Sequence, residues 1–177
     1  MMFPPAIGWR PSTRAFACLR IGVGILFLFF GEYKVFGTAF TLNGGFQGWI
    51  TRFISDSGAY PFMVPVLQHF VLPNATAIAF LVAYGELAIG IALTIGLCSR
   101  LASGFGLLYM LALLFSSNYP GPHVAAWQYL GASLDHLVLA MCFAAFLAGD
   151  PDGSLSVEPA LRAWRSRRPG SSGVGST

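Results

Sequence analysis

Four stretches of this chain are long and apolar enough to cross a lipid bilayer, and that leaves few folds open. A spanning helix needs about 20 mostly apolar residues, because the hydrocarbon core is about 30 Å thick and each helical residue rises about 1.5 Å. The stretches run from Ala15 to Phe36, Ala75 to Leu97, Arg100 to Ser117 and Tyr129 to Ala148. Composition agrees: 55% of the 177 residues are hydrophobic and 10% are charged, whereas a soluble domain carries about 25% charged residues to keep its surface solvated. A soluble enzyme, a coiled coil and a disordered chain are excluded. The net charge of +3 does not point to nucleic acid, since the basic residues flank apolar runs rather than line one face. The expected fold is an all-α integral membrane protein, a four-transmembrane-helix bundle with an outer interfacial amphipathic helix.

Orientation follows from the placement of Lys and Arg, because cytoplasmic flanks retain positive charge. With the N-terminus inside, the inner flanks hold Arg10, Arg14, Arg20, Arg100, Arg162, Arg165, Arg167 and Arg168, and the outer side keeps Lys34 and Arg52. Both termini are expected in the cytoplasm. Residues 1–14 then form a cytoplasmic tail, 15–148 the membrane domain and 149–177 a second tail, ending in a Gly- and Ser-rich segment from Pro169 expected to be disordered. The first stretch is longer than the apolar core of a signal peptide and is read as a retained span. Arg20 and Arg100 at inner helix ends are explained by topology and by snorkelling of the charged head.

The connection from residue 37 to 74 is long for a helical bundle, and such loops carry structure or function. Phe46, Trp49, Ile50, Phe53 and Ile54 recur at helical spacing and predict a short amphipathic helix, read as an interfacial cap in preference to a substrate-contacting lid. Pro61 to Leu72 is too short to span and reads as interfacial or re-entrant. Small residues set the expected packing faces: Gly24 and Gly31; Ala88, Ala92 and Gly96; Ala102 and Gly106; Ala140, Ala144 and Ala148. A homo-oligomer interface built on the same stripes stays open.

An ionisable group at membrane depth costs about 3 kcal/mol on insertion scales, so it is expected to face the bundle interior with a partner. Glu86 lies near the middle of the second span, Asp135 and His136 in the outer part of the fourth, and Glu32 and Lys34 near the outer end of the first. They could line one pocket. Glu86 has no basic neighbour on its own helix, so it is either protonated or paired with Lys34 or His136. A carboxyl beside a His suits a proton relay; an interhelical polar clamp is the competing reading. A bis-histidine haem lacks a second spanning His, a carboxylate-bridged metal site lacks its Glu-x-x-His pairs, and Cys18, Cys98 and Cys142 form no Cys-x-x-Cys motif, so neither haem nor metal is expected. A quinone site fits better. It needs an aromatic-walled slot with polar ends, which Phe27, Phe29, Phe30, Tyr84, Phe105, Tyr109 and Phe115 with Glu86, Lys34 or His136 supply. The candidate catalytic set is Glu86, His136 and Lys34; the candidate cofactor contacts are Glu32, Tyr84, Tyr109 and Asp135.

The run from Arg20-Ile21 to Gly31 and Lys34, then Gly85-Glu86-Leu87, Gly90, Gly96-Leu97 and Arg100-Leu101-Ala102, resembles the DoxX and DoxD-like membrane proteins. Gly45-Phe46 to Trp49-Ile50 and Ala148-Gly149-Asp150 are also similar. The resemblance implies a bacterial or archaeal inner-membrane protein. DoxD-like members include the small subunit of thiosulfate:quinone oxidoreductase, which implies a membrane quinone as cofactor and a larger oxidoreductase subunit as partner. A non-enzymatic scaffold that docks a redox or stress-response partner is the alternative.

Overall fold

A computed structural model describes residues 13–131, 134–149 and 155–166, and these contain helices and turns and no strand. The helices are α1 (Thr13–Phe36), α2 (Thr38–Thr41), α3 (Gly45–Ser55), α4 (Val64–Val66), α5 (Ala75–Ile95), α6 (Ser99–Ser117), α7 (Gln128–Gly131), α8 (Leu134–Ala148) and α9 (Glu158–Ser166). Among the described residues, three helical runs are long and apolar enough to cross a membrane: 14–36, 64–95 and 99–117. Large apolar side chains stand exposed around them, among them Phe29, Leu81, Leu101, Leu108 and Met141. A water-soluble monomer does not present such a continuous apolar belt. This is a multi-pass membrane protein.

One element differs from the sequence expectation. The segment around Pro61–Leu72 is not a separate re-entrant piece: from Val64 it is helical, passing through a π turn at Leu67–Val71 and a 3₁₀ turn at Leu72–Asn74 straight into α5. The helical run absorbs Pro65 and Pro73 because each sits at the start of a new turn type, where no backbone N–H is required. Within the fourth apolar stretch the described residues form the helical turn α7 and helix α8 of 15 residues, about 22 Å at the helical rise; residues 132 and 133 between them lie outside the described residues. The tails before Thr13 and after Ser166, and Asp150 to Ser154, lie outside the described residues.

The bundle is assembled from two close pairs, α1 with α5 and α6 with α8. On α1, a Cβ added at Gly24 would lie 2.8 Å from the Thr94 backbone nitrogen, and one at Gly31 would lie 2.7 Å from that of Leu87. Gly90 of α5 meets Leu28 of α1 in the same way. Only glycine lets the two backbones approach so closely, which is how helices associate in lipid. In the second pair, Gly106 of α6 lies directly against the ring of Phe143 on α8. Phe27, Leu93, Met110, Phe143 and Phe146 from all four long helices close the core. Ala88 and Ala92, expected to pack helix against helix, instead line a groove between α5 and α6, with Ala88 exposed. The pairs meet loosely there.

At one end α3 caps the bundle, burying Phe46 and Ile50 against Leu67, Ala75 and Ala79. The loop beside it is anchored by Tyr60, whose ring meets Phe115, Tyr119 and Tyr129 and whose hydroxyl donates to the Tyr129 carbonyl. Burial and the neighbouring Tyr129 and Tyr119 phenols push the Tyr60 phenol up, keeping it a donor. At the opposite end Gly96, with φ of +70°, ends α5 in a left-handed cap, and Leu97 N–H returns to the Ala92 carbonyl. Arg20 corrects the snorkelling reading: it is fully buried and donates to the Leu93 carbonyl at 2.7 Å and the Leu155 carbonyl at 2.6 Å. Its cation sits where the end of α5 leaves carbonyls unpaired, a favourable place for positive charge. Ser156 Oγ donates to the Gly96 carbonyl at 2.5 Å, so the segment after α8 is tied to the same end.

Candidate functional site

Glu86 sits near the middle of α5 and is 4% exposed. Helix α1 brings Lys34 to it and α6 brings Tyr109. Lys34 Nζ donates to Glu86 Oε1 at 2.5 Å, and the Tyr109 hydroxyl donates to the same oxygen at 2.5 Å. The other oxygen, Oε2, is buried without a hydrogen-bond partner. A buried carboxylate satisfied on one side only retains an acceptor directed at whatever occupies the adjoining space. Lys34 also lies over the Phe40 ring, 5.1 Å from its centroid, a cation–π contact that holds the ammonium at the aromatic end of the site. The glycine-tight α1–α5 contact fixes the register of Lys34 and Glu86.

These residues border a cavity of about 440 Å³ under α3, within the size range of small-molecule sites. Its walls are aromatic, with Phe27, Phe30, Phe40, Phe46, Trp49 and Phe53 among the lining residues. Glu86, Lys34, Tyr109, Asp135 and His136 all line it. The structure thus gathers the three residues proposed as a catalytic set around one space. His136 Nδ1 lies 3.0 Å from Asn118 Oδ1 and 3.6 Å from Asp135 Oδ1. With these oxygens as acceptors Nδ1 carries a proton, and in the neutral ring the lone pair is on Nε2.

Two of the sequence candidates lie elsewhere. Glu32 is exposed on α1 and does not line the cavity, because a step of two residues along a helix turns it away from Lys34. Tyr84 is 55% exposed and stacks on Phe80 along the outside of α5. Asn118, which orients His136, was not anticipated. It lies just past the end of α6 and is 7% exposed. The cavity-lining role of α3 was also read too narrowly: Phe46, Ile50 and Phe53 both cap the bundle and wall the site. Among the described residues, no three His, Cys, Asp or Glu gather as a metal donor set.

A second cavity, of about 560 Å³, runs along the α5–α6 groove and shares Val82, Glu86 and Tyr109 with the first. The two cavities therefore adjoin at the Glu86–Tyr109 pair.

The DoxX family model matches residues 15–118. The chain belongs to the DoxX family. No curated protein and no solved structure matches it. The DoxX match spans α1 to the end of α6, so Lys34, Glu86, Tyr109 and Asn118 fall inside it and Asp135 and His136 beyond it.

Proposed function

We propose that this DoxX protein is a quinone-linked accessory subunit of a membrane oxidoreductase, and that the Glu86 site is where a quinone headgroup is held. The observation that carries this reading is the half-satisfied carboxylate: Oε1 is fixed by Lys34 and Tyr109, Oε2 is buried and unpartnered, and Glu86 lines an aromatic-walled cavity. These residues fit a planar ring bearing two oxygens. A quinone supplies a carrier of two electrons and two protons within the bilayer. Glu86 Oε2 would accept a hydrogen bond from a ring hydroxyl of the reduced form, with Lys34 and Tyr109 holding the carboxylate in place, and His136, which lines the same cavity, would take up or release a proton through Nε2. Aromatic walls exclude water, which strengthens each of these contacts.

The free cysteines Cys18, Cys98 and Cys142 form no dithiol centre, so sulfur chemistry of the thiosulfate:quinone oxidoreductase kind belongs to a larger partner subunit. The reading places the chain in a bacterial or archaeal plasma membrane with both termini cytoplasmic. The basic flanks support this, as does the Arg20 tie that joins the segment after α8 to the α5–α6 end of the bundle.

Titration of the detergent-purified protein with tail-less ubiquinol and menaquinol analogues, kept reduced so that the ring hydroxyl can donate, tests the proposal. Saturable binding is expected, weakened about tenfold or more in Glu86→Gln and in Tyr109→Phe. Absence of binding to the wild type overturns it in favour of a scaffold whose buried ion pair only clamps the helices.

A further inference from the structure

The groove between α5 and α6 contains little that is polar. Its lining includes Gly85, Ala88 and Ala92 of α5, and Leu101, Ala102 and Phe105 of α6. Glu86 and Tyr109 close one part of it, and Cys98 lies toward the other end. A Cβ at Gly85 would meet nothing within 4 Å. The groove opens sideways, since Leu81, Leu101 and Phe105 on its rim are 73%, 64% and 59% exposed. From Glu86 to Ala92 it follows α5 for about 9 Å at the helical rise, toward the end where Arg20 is buried. Its polar end is lined by Glu86, which is 4% exposed and whose Oε2 is buried without a hydrogen-bond partner.

We propose that this groove is the site of the prenyl tail of a membrane quinone or quinol, entering from the bilayer between α5 and α6 while its headgroup meets Glu86. The inference rests on the headgroup reading above and adds the route and the tail. The occupant follows from charge and depth. Glu86 lies near mid-helix, and a phospholipid headgroup is held at the membrane surface by its charge, so it does not reach that oxygen. A fatty-acid carboxylate would set like charge against Glu86. A neutral headgroup that donates a hydroxyl and trails a single apolar chain meets neither objection. It satisfies the one open acceptor and fills an otherwise apolar slot. The small side chains at 85, 88 and 92 thus have a reason other than helix packing: they leave room between the two helix pairs.

The test compares tail-less and long-tailed quinol analogues, kept reduced, on the purified full-length protein and on Ala88→Trp, which fills the groove. Leu108→Trp on the exposed side of α6 is the control. Tail-less analogues are expected to bind wild type and Ala88→Trp alike, whereas the long-tailed analogue loses about tenfold in affinity in Ala88→Trp and not in Leu108→Trp. A long-tailed quinone with a photoreactive group midway along the chain is expected to label peptides covering 85–92 or 101–105. If tail-less analogues bind but Ala88→Trp leaves long-tailed binding unchanged, or labelling falls elsewhere, the tail site is overturned and the headgroup site stands. If tail-less analogues fail to bind wild type, both fall. Labelled peptides competed away by phospholipid and not by unlabelled quinone assign the groove to an acyl chain and overturn the proposal.

Discussion

Helix α5 meets one neighbour without a gap and the other across a groove. Toward α1 its contact is built on Gly90 against Leu28 and on Gly24 and Gly31 of the partner, with backbones close enough to exclude any added carbon. Toward α6 the same helix presents Gly85, Ala88 and Ala92, and a cavity of about 560 Å³ remains. Small residues therefore have two opposite consequences in this bundle. Where the facing helix also has glycine at the crossing, they bring backbones together; where it carries Leu101 and Phe105 turned outward, they leave space. Only the partner's side chains distinguish the two cases.

Gly24→Leu and Gly90→Leu provide the strongest test of this contrast. Each forces side-chain carbon into neighbouring backbone, and a loss above about 3 kcal/mol or failure to yield folded protein is expected, read by thermal aggregation in detergent. Retention of wild-type stability would dissolve the distinction. Lys34→Met is next. It removes the cation from a carboxylate that is 5% exposed at its side chain, costing about 3 kcal/mol, and the double variant Lys34→Met with Glu86→Gln recovers much of that loss in a double-mutant cycle. Arg20→Gln leaves the Leu93 and Leu155 carbonyls short of donors and is expected to cost about 2 kcal/mol. Limited proteolysis should then cut first around 155–166, since Arg20 ties that segment down. Ala88→Leu is the smallest effect, within about 0.5 kcal/mol of wild type, because its side chain enters open groove. A large loss there would mean that α5 and α6 pack more closely than the groove indicates.

Much of the membrane fold was legible in the residues. Length and hydropathy located the first and third spans and the end of the second to within a few positions, and the spacing of Phe46, Ile50 and Phe53 gave α3. The Pro-containing segment before α5 is too short to span when measured alone, whereas helical turns of altered pitch accommodate its prolines at their first positions and join it to α5. For the site, the cost of a carboxylate at mid-membrane marked Glu86 and required a partner. Lys34 was one of two candidates, and the rotation of α1 against α5 selected it. Tyr84 and Tyr109 looked equivalent as aromatic neighbours of that depth, yet one faces outward and the other bonds Glu86. Asn118 carried no signal, since an Asn after a helix is an ordinary terminator until the fold buries it against His136.

The sequence by itself determined that the chain lives in a bilayer, where its helices run and which charges must be satisfied internally, because transfer into hydrocarbon depends on each residue's own chemistry. The tertiary structure alone decided which faces meet: that Lys34 and Tyr109 share one oxygen of Glu86, that the other is left open, and that α5 and α6 stand apart. Those outcomes depend on helix rotation. In lipid no difference in solvation drives one apolar face inward over another, so rotation is settled by the fit of small and large side chains across helices far apart in the chain.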